Sequence, residues 1–154
     1  MKTLRSVVIA GILASLSSVG SVALASEQDN REEAQSVCEM ITATQKAYGK
    51  EKTLAKANNP NGDFQKTGVY VFAYDASALT LAHPDPDQVG KSLADMQGVN
   101  GRAIKQEIVH IGDSKDGTGW IRYDWPNAVS KSLNTMVSYI EKFEDVYWVC
   151  GYYK

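Results

Sequence analysis

Cysteine and histidine are scarce in this sequence, since each occurs only twice among 154 residues. Two cysteines are too few for a zinc ribbon or a disulfide-dense miniature scaffold, which need more ligands or more bridges. Positive charge is not in excess either, because 16 Lys and Arg stand against 18 Asp and Glu. We therefore expect no nucleic-acid partner, and a fold that depends on an ordinary hydrophobic core.

Catalytic and cofactor-binding motifs are also missing. The sequence contains no GxSxG, HExxH, CxxC, GxGxxG or Walker motif. His83 with Asp85 or Asp87 is a loose combination for acid–base chemistry, but neither a second histidine nor a nucleophile is spaced to support it. A strand end followed by a polar turn explains these residues more simply. We expect no metal ion, no cofactor and no enzyme; a small exported enzyme is the weaker alternative.

The N-terminus has the pattern of a secretory signal peptide. Lys2 and Arg5 form a positive n-region, the apolar run VVIAGILA follows, and the small residues Ala23 and Ala25 precede Ser26. The alternative is an uncleaved anchor, which the serines and glycines of this stretch disfavour. We expect a cleaved signal peptide over residues 1–25, a single mature domain over 26–154, and a periplasmic or secreted location.

Export changes what the two cysteines are expected to do. In an oxidising compartment Cys38 and Cys150, one near each end of the mature chain, favour a disulfide bond over a reactive pair. Closing a loop of this length would stabilise the fold by about 4 to 5 kcal/mol in the chain-entropy model. The alternative is two independent buried thiols, because free cysteine packs as a small hydrophobic residue.

A long amphipathic helix is predicted from Asp29 to the turn NNPNGD at residues 58–63. We expect it to bury one stripe of side chains. The stripe residues, at helical spacing, are Val37, Ile41, Thr44 and Tyr48. Cys38 borders the stripe, so a strand that carries Cys150 should run beneath this helix.

Five strands and a second helix are predicted after the long helix. The strand segments are Val69 to Asp75, Leu79 to Pro84, Gly119 to Trp125, Asn134 to Glu144 and Val146 to Tyr153. The first two form a hairpin, a helix over residues 100–115 follows, and the last three form a meander. This order predicts one α+β domain in which the long helix covers one face of an antiparallel sheet and crossover elements cover the other.

Aromatic residues are the informative excess, with three Trp and eight Tyr. Core packing accounts for many of them. Alternation along the third strand places Tyr123 and Trp125 on one face of the sheet, and Trp120 and Arg122 on the other. A face that offers apolar rings together with Tyr hydroxyls suits a small polar ligand, because ligand pockets combine apolar walls with a few fixed polar groups.

Five segments, taken in order and spacing, carry a family pattern. They are YVFAYD, LAHPDPDQVGKSL, NGRAIKQEIV, GTGWIRYDWPN and SYIEKFEDVYWVCGYY. From about Gly68 to Tyr153 the chain thereby resembles the single Cache domain of the type 2 subgroup. The resemblance implies a PAS-like fold with a ligand pocket between the sheet and its helical crossover. It also implies sensing of small metabolites, often short carboxylates, for chemoreceptors and kinases. Because this sequence has no room for either output module, we expect a free-standing exported domain that signals through a separate membrane receptor or histidine kinase, or that only binds and buffers its ligand.

Five residues are the candidate ligand-binding set on this basis. We expect Tyr74, Tyr123 and Trp125 to wall the pocket, and His83 and Arg102 to donate hydrogen bonds to a small organic acid. The plainer interpretations are core aromatic residues, a turn histidine and a solvated arginine.

Two positions depart from the family pattern. The acidic residue usual before Asn-Gly is Gly98 here, and the basic residue usual three positions before the strand tyrosine Tyr139 is Met136. Loss of that cation would weaken pairing with a carboxylate. A second function class also stays open, in which the aromatic surface docks on a membrane receptor as a protein-interaction module.

Overall fold

The computed structural model describes residues 19–65, 68–96, 99–127 and 130–154. Three helices and five strands form the domain, with short 3-10 turns at residues 63–65, 86–88 and 93–95. In chain order they are α1 (Val19–Tyr48), α2 (Lys50–Ala57), β1 (Tyr70–Tyr74), β2 (Thr80–Ala82), α3 (Gly101–Gly112), β3 (Thr118–Pro126), β4 (Leu133–Phe143) and β5 (Val146–Tyr153). The predicted sequence of helix, hairpin, helical crossover and meander is confirmed.

The five strands form one antiparallel sheet in the order β2-β1-β5-β4-β3. The C-terminal strand β5 is therefore in the middle, paired with β1 on one side and β4 on the other. In this register Cys150 lies opposite Val71 of β1 and Tyr139 of β4. The predicted α+β architecture, with a long N-terminal helix packed on a five-stranded antiparallel sheet, is confirmed.

Helix α1 starts ten residues earlier than predicted, at Val19 instead of Asp29, and it ends at Tyr48. Gly49 has a φ of 89°, which a glycine adopts without strain, and α2 begins directly after it. The long helix predicted up to residue 57 is therefore two helices. The N-terminal part of α1 includes the predicted cleavage point at Ala25, while residues 1–18 lie outside the described residues. Cleavage of a signal peptide stays a prediction.

The buried stripe of α1 differs from the predicted one in its C-terminal half. Val37 and Ile41 are buried as expected, but Thr44 is half-buried and Tyr48 is 62% exposed. The residue that turns inward is Gln45, because its side-chain oxygen accepts a hydrogen bond from the buried Trp148 Nε1 at 2.8 Å. A partner 103 residues away thus decides which helical position faces the sheet.

The disulfide between Cys38 and Cys150 is present, with a Cα–Cα distance of 5.8 Å. Both residues are fully buried, one on α1 and the other on the central strand. The strand with Cys150 therefore runs beneath the N-terminal helix, as the sequence predicts.

Helix α3 covers the opposite face of the sheet, and the Asn-Gly pair shapes its start. The Asn100 side chain accepts a hydrogen bond from the Ala103 N–H at 3.3 Å and caps the helix. Gly101 lies so close to the Leu93 carbonyl that a Cβ would stand 1.9 Å from its oxygen. Ile104 and Ile108 then pack onto the sheet.

Strand alternation divides the core between two faces. The α1 face, beneath α1, includes Val71, Ala73, Val137, Tyr139, Trp148 and Cys150. The α3 face, beneath α3, includes Phe72, Tyr74, Ile121, Trp125, Met136, Ile140, Tyr147 and Val149. Within the described residues, no helix has both the length and the apolar character that crossing a membrane would need.

Candidate functional site

Four side chains of the α3 face form a ring cluster, which consists of Phe72, His83, Tyr123 and Trp125. The Phe72 ring lies 5.0 Å from the His83 ring and 5.6 Å from the Trp125 ring, with edge-on geometry in both pairs. Trp125 also contacts Tyr123 edge-on at 5.7 Å between ring centroids. The structure thus brings three of the five predicted site residues together, and adds Phe72.

His83 reaches the cluster because it directly follows β2, which pairs with β1 on the edge of the sheet. Its Nδ1 lies 2.9 Å from the Asp85 backbone nitrogen, which donates to it, and 3.2 Å from the Asp85 carbonyl oxygen. The shorter contact needs a lone pair on Nδ1, so the proton of the neutral ring is on Nε2. Nε2 is buried and has no hydrogen-bond partner among the described residues.

Burial also keeps the His83 ring uncharged. Desolvation is the largest influence on this imidazole and lowers its pKa from the ordinary 6.5 to about 4, against a smaller upward effect of Asp85. At neutral pH the side chain therefore offers a buried N–H donor without a positive charge.

Tyr123 provides a second polar group on this face. Its hydroxyl lies 3.1 Å from Ser138 Oγ and 3.5 Å from Met136 Sδ, both on the neighbouring strand β4. Burial raises the pKa of the Tyr123 hydroxyl above its usual value of 10. The hydroxyl is therefore uncharged at neutral pH and can donate or accept a hydrogen bond.

An open groove of about 380 Å³ runs between α3 and β3 on the outer side of Tyr123. Its lining is mixed, with apolar side chains such as Ile104 beside polar ones such as Asn100 and Glu107. The residues that line it are Val99, Asn100, Ala103, Ile104, Glu107, Ile121, Arg122, Tyr123, Asp124 and Leu133. Of the ring cluster, only Tyr123 borders this groove.

Two predicted site residues lie apart from the ring cluster. Tyr74 is buried against Lys105, Ile108 and Val109 of α3, around a space too small for a water molecule. Arg102 is exposed on α3 and does not line the groove. A single cavity walled by Tyr74, Tyr123 and Trp125 is not what the described residues form. The rings of Tyr123 and Trp125 are in contact, and the hollow lies beside them.

Sequence reasoning missed Phe72, Ser138 and the direct role of Met136 on this face. Met136 is fully buried, and its sulfur accepts from the Tyr123 hydroxyl. Met136 stands at the position where the family usually has a basic residue. An uncharged side chain therefore faces the candidate site there. Strand alternation places Met136 and Ser138 on one face, and pairing that face with Tyr123 would have identified both. Gly98, the second departure, lies outside the described residues.

Among the described residues, no three potential metal ligands converge at one point. His83 and Asp85 meet through the backbone of Asp85, while the Asp85 carboxylate accepts from the Asp87 N–H. The side chains that looked like an acid–base pair in the sequence are therefore engaged in a turn.

Comparisons with known proteins agree with this fold. The chain shares 17% identity, at a TM-score of 0.61, with a structure described as a Cache chemosensory domain in carboxylic acid recognition, over 88% of this chain and 97% of that one. A periplasmic sensor domain of a chemotaxis protein shares 18% identity at a TM-score of 0.61, over 89% and 99% of the two chains. A methyl-accepting chemotaxis protein from Vibrio parahaemolyticus shares 19% identity at a TM-score of 0.54, over 87% and 92%. The sequence profile of the Cache domain family matches residues 21–154, and the chain therefore belongs to this family.

Proposed function

We propose that this chain is an extracytoplasmic, non-enzymatic sensor module that binds a small organic molecule, a short carboxylate in the first place, on the α3 face. The observation that carries the proposal is the buried Nε2–H of His83, which has no partner among the described residues. A buried donor without an acceptor costs about 1 to 3 kcal/mol. A ligand that accepts this hydrogen bond would remove that cost.

The neighbours of His83 fit such a ligand. Phe72 and Trp125 offer apolar ring surface to a short carbon chain, and the Tyr123 hydroxyl is a second donor on the same face. Two uncharged donors can hold a carboxylate, but less tightly than a guanidinium would. Because Met136 stands where the family usually has a cation, and Arg102 lies outside the groove, we expect modest affinity.

Access to His83 requires the ring cluster to open. Trp125 lies between Tyr123 and His83, with ring distances of 5.7 Å and 6.3 Å. The groove along α3 brings a ligand to the outer side of Tyr123. We propose that the ligand enters from this groove and displaces the Trp125 ring as it reaches His83.

Thermal shift and calorimetry with acetate, propionate, pyruvate and lactate test the proposal. A ligand at about 100 times its Kd raises the free energy of unfolding by about 2.7 kcal/mol. In the variant His83→Phe the ring contacts stay but the Nε2–H donor is lost, so we expect the affinity to fall by about tenfold or more. The matched control is His110→Phe on exposed α3 surface, which should bind as the wild type does.

A second pair of variants tests Tyr123. Tyr123→Phe removes the hydroxyl next to Ser138, whereas Tyr48→Phe removes one from an exposed ring. If His83→Phe, Tyr123→Phe and the wild type bind the ligand with equal affinity, the α3 face is not the binding site. If none of the four acids shifts the transition, the carboxylate assignment is wrong. A wider metabolite screen then decides whether any small ligand binds.

Signalling through a separate membrane partner, a chemoreceptor or a histidine kinase, is part of the same proposal. The three structures compared above are described as chemosensory or chemotaxis proteins. This similarity supports a role outside the cytoplasm. Pull-down of membrane fractions with the ligand-loaded and ligand-free protein tests this step. A partner retained equally by both forms would favour constitutive docking over sensing.

A further inference from the structure

The outer edge of the sheet is formed by β3, and its backbone is available for pairing. Strand β3 ends the order β2-β1-β5-β4-β3, so among the described residues no strand lies on its other side. Two grooves between α3 and β3 run along this strand from Trp120 to Asp124. An open edge with free N–H and C=O groups is a ready template for another strand.

Two hydrogen bonds show which residues of β3 direct their backbone groups outward. The Asn127 N–H donates to the Ser132 carbonyl, and the Gly117 carbonyl accepts from the Lys142 N–H, so both odd-numbered residues face β4. Backbone groups point alternately to the two sides of an antiparallel strand. Even-numbered residues of β3, including Arg122 and Asp124, therefore present their N–H and C=O groups outward.

Pro126 agrees with this alternation. It is an even-numbered residue paired with Leu133 of β4, and it has no N–H to contribute. A proline at this position leaves the ladder to β4 intact because its nitrogen faces the open side. Proline and charged residues on an edge strand usually prevent pairing with another chain. Pairing of β3 with a second copy therefore depends on whether the charges on the two strands repel or attract each other.

The geometry points to a two-fold homodimer in which the β3 strands of two copies pair antiparallel about Tyr123. In this register Arg122 of one copy lies opposite Asp124 of the other, and the two pairs repeat across the axis. Each pair exchanges both backbone hydrogen bonds. The contact is centred on these two residues, because the Pro126 carbonyl at the end of β3 already accepts a hydrogen bond from the Tyr153 hydroxyl at 2.8 Å. The dimer then contains two pairs of opposite charge, each formed by Arg122 of one copy and Asp124 of the other. The charges on β3 are therefore complementary to those on a second copy.

The side chains at the proposed contact are free to make it. The Arg122 side chain is 54% exposed, and its one ion pair among the described residues, to Glu27, is at 3.6 Å. A guanidinium has five N–H donors, so it can hold a second carboxylate at the same time. Asp124 is exposed and accepts one long hydrogen bond from Thr135 at 3.4 Å.

The dimer would also change the surroundings of the groove. Tyr123 sits on the two-fold axis, so the grooves of the two copies would meet there and each would be bordered by the other copy's β3. Leu133, which is 55% exposed at the groove rim, lies beside this junction. The inference does not depend on ligand binding, because it rests on β3 alone.

Sedimentation velocity over a concentration series, with the whole mature chain, tests the dimer. The single variants Arg122→Asp and Asp124→Arg each place two like-charged pairs at the contact, and we expect the dissociation constant to rise by about tenfold to hundredfold. The double variant Arg122→Asp with Asp124→Arg restores opposite charges and should dimerise as the wild type does. Lys115→Asp is the control for net charge, because Lys115 is exposed and outside β3.

A mixture of the two single variants provides a second measurement. One copy then carries only acidic and the other only basic residues at the contact, so a heterodimer should form although neither variant pairs with itself. Unfolding curves of each variant separate lost pairing from lost folding. A wild type that stays monomeric throughout, a dimer that resists both single variants, or a mixture that stays monomeric would overturn the inference.

Discussion

The α1 face and the α3 face of the sheet are both rich in buried rings, but the buried ring N–H of each face is treated differently. On the α1 face the Trp148 N–H is paired with Gln45, and the disulfide closes the layer beside it. On the α3 face the His83 Nε2–H has no acceptor in the described parts of the chain, and a groove opens next to Tyr123. The buried ring N–H of the α1 face thus has its acceptor within the chain, while the buried ring N–H of the α3 face is left for a ligand.

Two buried atoms on the α1 face, Glu141 Oε2 and the Tyr152 hydroxyl, have no hydrogen-bond partner within the part of the chain that the structure describes. Each lies near a group that reduces the cost. Thr42 donates to the other Glu141 oxygen at 2.9 Å, and the charge of Arg31 acts on Tyr152. Desolvation raises the pKa of Glu141, which lowers the cost further because protonation becomes easier. The contrast between the two faces therefore concerns the ring N–H groups of Trp148 and His83.

Removal of the disulfide should have the largest effect on stability. The double variant Cys38→Ser with Cys150→Ser frees a loop whose ends are 112 residues apart, and we expect the free energy of unfolding to fall by about 4 to 5 kcal/mol in the chain-entropy model. Urea unfolding with circular dichroism measures this change. Wild type in reductant should behave in the same way, and a difference of less than about 1 kcal/mol would show that the bond does not hold the α1 face together.

An intermediate effect is expected from Gln45→Leu. This change leaves the Trp148 N–H buried without an acceptor, so the free energy of unfolding should fall by about 2 kcal/mol. Ligand affinity should be unchanged, because Gln45 lies on the α1 face. Gln28→Leu, on exposed α1 surface, is the matched control. If Gln45→Leu weakened ligand binding as much as it weakened the fold, the two faces would not be independent.

The smallest effect, and one of opposite sign, is expected from His83→Phe. The substitution removes a buried unpaired donor, so without ligand the protein should become more stable by about 1 kcal/mol. The Asp85 N–H loses its acceptor but is exposed enough to bond water. His110→Phe should leave stability unchanged. A clear destabilisation by His83→Phe would mean that Nε2 already has a partner.

The pH dependence of stability tests the burial of His83 on the α3 face. The pKa of His83 is about 4 in the folded protein and 6.5 as its ordinary value, so the unfolded chain binds more protons between these two pH values. Stability should therefore fall as the pH drops from about 6.5 toward 4, and the part due to His83 should be absent in His83→Phe. Denaturant midpoints at several pH values measure the slope, and parallel curves for the two proteins would contradict the burial of the ring.

The sequence predicts the strands and their order along the chain well, because alternation and turn residues act locally. It predicts the disulfide for a different reason, the expected export of the chain to an oxidising compartment. Tyr123 and Trp125 fall on the predicted face for that reason. Where a side chain lies along a face of the sheet, however, depends on packing with residues that are distant in sequence. Tyr74 and Tyr123 both face α3, yet packing against Ile108 separates Tyr74 from the ring cluster. Similarly, Gln45 replaces Thr44 in the buried stripe because of Trp148, which is distant in sequence.

The disulfide also restricts how the N-terminal helix can move. Cys38 lies within α1, and Cys150 lies on the central strand, so the bond fastens the two at a single buried point. The disulfide prevents α1 from sliding along the sheet by a helical turn, but it still allows the helix to tilt. The bond then acts as a pivot, and a shift at the end near Gly49 would swing the opposite end of the helix the other way.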